Sequence, residues 1–300
     1  MKRFTGIFTP IATPFLSDDT LDEQGLRSNV VRWMATPLTG LVVLGSNGEA
    51  PQLDEDETDR VIDIVRAEMP RNRPMIVGTG RESTRATIAT TRRAASAGAD
   101  AALVRTPAFF KAQMTTDVFV RHYVEVADAS PIPVLLYNVT MYTGVNLLPD
   151  AVARLGTHPN IVGMKESGSD LAQIADFIAR TPDDFSVLAG SAATVFAALC
   201  VGCDGAILAL AQLAPEACVL LQALVREGRL TEARELQSRL IPLARTIGGQ
   251  HGVPALKAAL NLMGYAGGAP RPPLRPVAPQ VVDTLRTQLE GLGLLERVGA

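Results

Sequence analysis

The sequence predicts a (β/α)8 barrel followed by a C-terminal helical extension. Eight short, apolar, β-branched runs recur at regular intervals, helical patterns lie between them, and the strand signal stops after Leu210. Continuous apolar runs of this length suit parallel strands covered on both faces. Eight of them alternating with helices favour a closed barrel over an open doubly wound sheet.

The first run lies near Ile7. The others begin at Leu41 (LVVLG), Met75 (MIVGTG), Ala101 (AALV), Ile132 (IPVLLYN), Asn160 (NIVGMK), Phe185 (FSVLAG) and Gly205 (GAILAL). Between them, DETDRVIDIVRAEM sets Val61, Ile64 and Val65 on one helical face, with acids at its start where the helix dipole favours them. That acidic run, 54–59, reads as a solvated helix start. TTDVFVRHYVEVA gathers Phe119, Tyr123 and Val126 on one side, and SDLAQIADFIAR opens with a cap at Ser169 or Asp170. The GTG that ends the third run lacks the third glycine of a dinucleotide fingerprint. After Leu210, APEACVLLQALVREG completes the barrel and the remaining segments are helical. The expected division is a catalytic barrel over 1–225 and a helical extension over 226–300 packed on it. The proline-rich segment 267–279 reads as a loop lying on the body.

A chain of 300 residues with 47% hydrophobic content can bury one large core. The net charge of −3 and the absence of a basic stripe argue against a nucleic-acid partner. No apolar run reaches membrane-spanning length, and Pro10 and Pro14 break the N-terminal stretch that a signal peptide would need. A cytoplasmic protein without a membrane partner is expected. Cys200 and Cys203 form a C-x-x-C, but their apolar surroundings read as two small buried side chains. His122, His158 and His251 are scattered, each a surface or satisfied histidine, so no metal is expected.

Barrel enzymes build their sites at the C-terminal strand ends. The second run ends in GSNGEA, where Ser46, Asn47 and exposed backbone N–H groups suit a carboxylate or carbonyl oxygen. The fifth ends in Tyr137-Asn138. The sixth ends in Lys165, in a chain where only Lys2, Lys111, Lys165 and Lys257 are lysine among 28 basic residues. Burying an unpaired ammonium is costly, and strand alternation turns Glu166 to the opposite face. Two readings of Lys165 stand side by side: an anion-binding lysine, or a nucleophile acting as the neutral amine that desolvation favours.

GSNGE, the YN of the fifth run and GMKES, in this order, resemble the dihydrodipicolinate synthase / N-acetylneuraminate lyase family over about Phe4 to Leu274. The resemblance implies a (β/α)8 Schiff-base lyase that binds a 2-oxo acid such as pyruvate, needs no metal or other cofactor, and assembles as a homotetramer. REST-x-AT, GADAALV-x-TP, HPNIVGMKESG, VLAGSA and GY-x-GG-x-x-R-x-PL are closest to its 4-hydroxy-2-oxoglutarate aldolases. Carried onto this sequence, the resemblance makes Lys165 the Schiff-base nucleophile, Tyr137 the acid/base, and Ser46 a hydroxyl that passes protons. Asn47 and Ser167 would contact substrate, and Gly190 and Ile207 would line the pyruvate end.

Two departures set this chain apart from the synthases of the family. Tyr142 stands where those synthases carry an arginine for the second substrate's carboxylate, and Phe110 stands where they carry a relay tyrosine. Both are expected at substrate-side positions. The implied function is cleavage of a 4-hydroxy-2-oxo acid to pyruvate and an aldehyde. The alternatives are the dipicolinate-precursor synthase, a 2-keto-3-deoxy sugar acid aldolase or dehydratase, and a non-enzymatic 2-oxo-acid sensor. Arg105 and Lys111 are charged candidates for a distal carboxylate, with solvated loop residues as the plainer reading. Phe109 and Phe110 suit a subunit contact or core packing equally.

Overall fold

The computed structural model describes residues 4–296, so 297–300 of the expected extension fall outside the described residues. Eight strands form: β1 (Gly6–Pro10), β2 (Gly40–Val43), β3 (Met75–Gly78), β4 (Ala101–Arg105), β5 (Val134–Asn138), β6 (Ile161–Glu166), β7 (Ser186–Ala189) and β8 (Gly205–Ile207). They pair in sequence order, and β8 returns parallel to β1, so the sheet closes into a barrel. The fold class follows the sequence pattern.

Helices α1 (Glu23–Met34), α2 (Glu55–Glu68), α3 (Thr84–Ser96) and α4 (Thr116–Ala129) follow the first four strands. A short turn of helix α5 (Thr140–Thr143) and α6 (Pro149–Leu155) follow β5, then α7 (Leu171–Arg180), α8 (Val195–Cys200) and α9 (Pro215–Arg226) follow the last three strands. The extension comprises α10 (Leu230–Arg245), α11 (Gly252–Leu262) and α12 (Pro279–Gly291). Among the described residues no helix is long and apolar enough to cross a membrane.

Two apolar layers hold the barrel. Phe8, Val42, Ile76, Leu103, Leu135 and Leu188 fill its interior. The outer layer lies between strands and helices and runs on without a break into Leu240, Leu256 and Leu285 of the extension. The extension therefore shares the barrel's core.

Local signals explain the helix starts. Asp54 caps α2 in a reciprocal capping box with Glu57. Asp170, rather than Ser169, caps α7 by accepting from the Gln173 amide at 3.0 Å. The acidic run is more than a solvated helix start, because Glu57 also takes both arms of the Arg271 guanidinium at 2.6 and 2.7 Å. Arg271 lies over the Phe15 ring at 4.0 Å, and this double grip holds the proline-rich loop against the body.

Three further expectations are corrected. Cys203 is buried but Cys200 is exposed, because it ends α8 on the solvent side. Phe109 and Phe110 are 78% and 67% exposed, packed only edge-on against each other, so they are not core residues. His122 is neither superficial nor fully satisfied: it is buried, its Nδ1 lies 2.9 Å from the Thr84 hydroxyl, and its Nε2 has no partner.

Burial pushes His122 down from 6.5 to about 4. The unfolded chain then binds a proton that the folded chain refuses, so stability rises with pH across that window and falls on acidification. Chemical denaturation at pH 7 and pH 4.5 is expected to show His122 contributing a loss of at most about 3 kcal/mol. His122→Gln should flatten that part of the profile, and an unchanged slope would rule the assignment out.

Candidate active site

The C-terminal strand ends open into a cavity of about 470 Å³. Lys165, Tyr137, Ser46, Asn47, Ser167 and Gly190 all line it, and Tyr142 joins them from α5. Ile207 and Phe110 do not. Ile207 packs into the filled barrel interior beside Phe8, leaving that wall to Ala209 and Leu210, and Phe110 sits on the outer side of the loop after β4.

A slip in pairing brings the lysine and the tyrosine together. β5 and β6 begin in register with Val134 opposite Ile161, then shift by one residue, so Tyr137 comes to face Lys165. Without the shift Asn138 would take that place. The Lys165 Nζ lies 4.3 Å from the centre of the Tyr137 ring, and the Tyr137 hydroxyl shares a 3.2 Å hydrogen bond with Ser46 Oγ. Lys165 is only 4% exposed, yet it has no hydrogen bond and no carboxylate partner among the described residues.

The neighbouring carboxylate is occupied elsewhere. Glu166 faces away from the cavity, accepting from Asn138 Nδ2 at 2.7 Å and from the Gly168 amide. Burial raises its carboxyl above the ordinary range, opposed by those hydrogen bonds. Gly190 packs directly on this strand end. Its amide donates to the Glu166 carbonyl at 2.6 Å, and a Cβ there would come within 2.2 Å of Ser167 Oγ.

Ser46 stands on a 3-10 turn, Ser46–Gly48, secured by the Thr13 hydroxyl donating to the Gly48 carbonyl at 2.7 Å. The turn is closed by Glu49, a non-glycine residue in the left-handed region at φ 54°. What holds it there is a buried ion pair: Lys257 Nζ of α11 donates to Glu49 at 2.5 Å, while the Arg271 amide donates to its second oxygen at 2.8 Å. Burial pushes the Lys257 ammonium down and Glu49 opposes that shift. Sequence reasoning missed this pair, since nothing local joins residues so far apart. It also missed the cavity's roof, where Arg245, Gly248, Gly249 and Gln250 close over the mouth from the extension.

A buried unpartnered lysine at a barrel strand end, beside a tyrosine linked to a serine, is a constellation for covalent chemistry on a carbonyl. The model of the dihydrodipicolinate synthetase family matches residues 3–292. The chain belongs to that family. It is accordingly an enzyme of the class I Schiff-base lyases, whose members work without a metal through a Schiff-base lysine. It is 39% identical over 287 residues to 4-hydroxy-tetrahydrodipicolinate synthase of Methanothrix thermoacetophila, covering 95% of this chain and 96% of that one. Among solved structures, dihydrodipicolinate synthase of Thermotoga maritima is similar with a TM-score of 0.93 and 34% identity, over 98% of this chain and all of that one. The Acinetobacter baumannii synthase, solved with pyruvate, is similar with a TM-score of 0.91 and 31% identity, over 98% of this chain and 100% of that one.

Lys257→Ala should lower the unfolding free energy by about 3–5 kcal/mol, because it leaves the Glu49 carboxylate buried without its counter-ion. Urea denaturation checks this, and a loss below about 1 kcal/mol would mean that water or rearrangement compensates Glu49.

Proposed function

We propose that the protein is a cytoplasmic, metal-independent Schiff-base aldolase. Its reaction is cleavage of a 4-hydroxy-2-oxo acid, with 4-hydroxy-2-oxoglutarate the leading substrate, to pyruvate and an aldehyde such as glyoxylate. The observation that carries the reading is Lys165: buried, unpartnered, and facing Tyr137 and Ser46 in one cavity. No carboxylate lies on the cavity wall to pair with it.

In this mechanism Lys165 Nζ adds to C2 of the substrate, and loss of water leaves a protonated imine. Tyr137 gives its phenolic proton, relayed by Ser46, to the departing hydroxyl, and the phenolate so formed takes the proton of the C4 hydroxyl and later returns it to C3. The C3–C4 bond then breaks, its electron pair flows into the imine, and the aldehyde leaves. An enamine remains on Lys165. Protonation at C3 and hydrolysis release pyruvate and restore the amine. Asn47 and the backbone of the Ser46–Gly48 turn serve as donors to the substrate's C1 carboxylate.

The substrate assignment draws on Tyr142, which lines the cavity where the resemblance would put a synthase arginine. A phenol gives one neutral donor in place of a charged fork. A second reading, 4-hydroxy-tetrahydrodipicolinate synthesis from pyruvate and aspartate semialdehyde, is favoured by the names of the relatives. The exposed Phe109 and Phe110 support the homotetramer that the resemblance implies.

Borohydride reduction in the presence of pyruvate should add a stable adduct at Lys165, seen by peptide mass mapping, and no adduct anywhere would sink the class. Lys165→Ala should reduce turnover by at least about 10⁴-fold while circular dichroism stays unchanged. Progress curves should show faster turnover of 4-hydroxy-2-oxoglutarate than of pyruvate with aspartate semialdehyde. The reverse order would move the assignment to the synthase.

A further inference from the structure

We propose that Arg245, in the last turn of α10, binds the distal carboxylate of a dicarboxylic 2-oxo acid held at Lys165. Its starting point is the charge of the cavity wall. Among the described residues that line it, Lys165 and Arg245 are the cations, and no aspartate or glutamate is present. Such a wall selects an anion. Lys165 is committed to the imine, so a second carboxylate has Arg245 as its charged partner.

Arg245 is free for that task. Most of the buried or half-buried arginines here are tied down: Arg271 to Glu57, Arg66 to Asp100, Arg105 to Glu82. Arg245 has no ion pair or hydrogen bond among the described residues and stands exposed at the mouth. The two residues that the sequence offered for a distal carboxylate lie elsewhere. Arg105, paired with Glu82 at 2.8 Å, lines an adjoining cavity that shares Ser46 and Tyr137 with the site, and Lys111 Nζ rests against Gly144 outside it.

The backbone explains how a helix of the extension reaches the site. After Arg245 the chain makes a π-helical turn, Thr246–Gln250, broken at Gly248 by the non-helical angles φ −100° and ψ −109°. The kink turns Arg245, Gly248 and Gln250 toward the cavity that Lys165 floors. Gly248 leaves open space, since a Cβ there would meet nothing within 4 Å. Tyr142 lines the same cavity, its hydroxyl 4.0 Å from where a Cβ on Gly252 would be. A substrate tail can pass between Arg245 and Tyr142, and the guanidinium fork matches a carboxylate with two parallel hydrogen bonds.

This inference rests on the aldolase reading only for which diacid is the natural one, and its test needs no turnover. The test uses the half-saturating concentrations for borohydride-trapped adducts at Lys165, measured with 2-oxoglutarate and with pyruvate, which lacks a second carboxylate. Arg245→Gln should raise the ratio of the two concentrations about tenfold, Arg245→Lys should recover part of the loss, and added salt should erode the wild-type ratio. The pyruvate adduct in each variant reports that the site still folds. An unchanged ratio in Arg245→Gln overturns the proposal, as does a wild type that forms no adduct with 2-oxoglutarate. If the ratio shifts as expected while the wild type fails to cleave 4-hydroxy-2-oxoglutarate, the Arg245 inference stands and the substrate assignment falls.

Discussion

The ion pair between Glu49 and Lys257 is the constraint on which the site's geometry depends. Both side chains are essentially fully buried, at 1% and 0% exposure. Their bond ties the loop after β2 to the second helix of the extension, residues that lie at opposite ends of the chain. Glu49 also takes the Arg271 amide, and Phe15 lies against both the Lys257 ammonium and the Arg271 guanidinium. Desolvating two charges is expensive, so the pair is not there for stability alone. It fixes a left-handed residue, and that residue closes the turn which presents Ser46 to Tyr137. One interaction thereby bears on the position of Ser46 and on the docking of the extension above it.

The two buried lysines then define each other by contrast. Lys257 is buried with a carboxylate and a backbone carbonyl, Ala269, as acceptors. Lys165 is almost as deeply buried with neither. The nearest carboxylate in sequence, Glu166, is turned outward and held by Asn138 and Gly168. That arrangement keeps a negative charge away from the amine without emptying the strand of polar residues. A structural lysine is surrounded by acceptors. A reactive one is surrounded by space for a substrate.

Much of this was legible in the sequence, and the reason is physical. Barrel strands are short apolar runs, so a polar side chain at the end of one, such as Tyr137 or Lys165, declares itself. Direction was less legible than position. Ile207 sits at a strand end too, but its side chain points into the packed interior, and Phe110 follows a strand end yet stands exposed to solvent. The one-residue slip between β5 and β6 left no local mark, though it decides what Lys165 faces. Long-range pairs were hidden for the same reason: Glu57 with Arg271 looked like a solvated helix start beside an unrelated loop. His122 gave no sign of its burial, and Cys200 none of its exposure, because both depend on how a helix is rotated against its neighbours.

The roof was the least legible part, and under the proposed function it bears most directly on specificity. The floor of the cavity, with Lys165, Tyr137 and Ser46, is drawn from strand ends and a strand-end loop that the barrel itself positions. Under the proposed mechanism it handles the 2-oxo acid. The mouth is drawn from α5 and the kink after α10, segments that no barrel pairing constrains. Tyr142, Arg245 and Gln250 line it there, where a second reactant would be met. Similarity along the whole chain therefore transfers the reaction class more securely than it transfers the substrate. A substrate is chosen by the difference in how its transition state is held, a difference that a few side chains suffice to make.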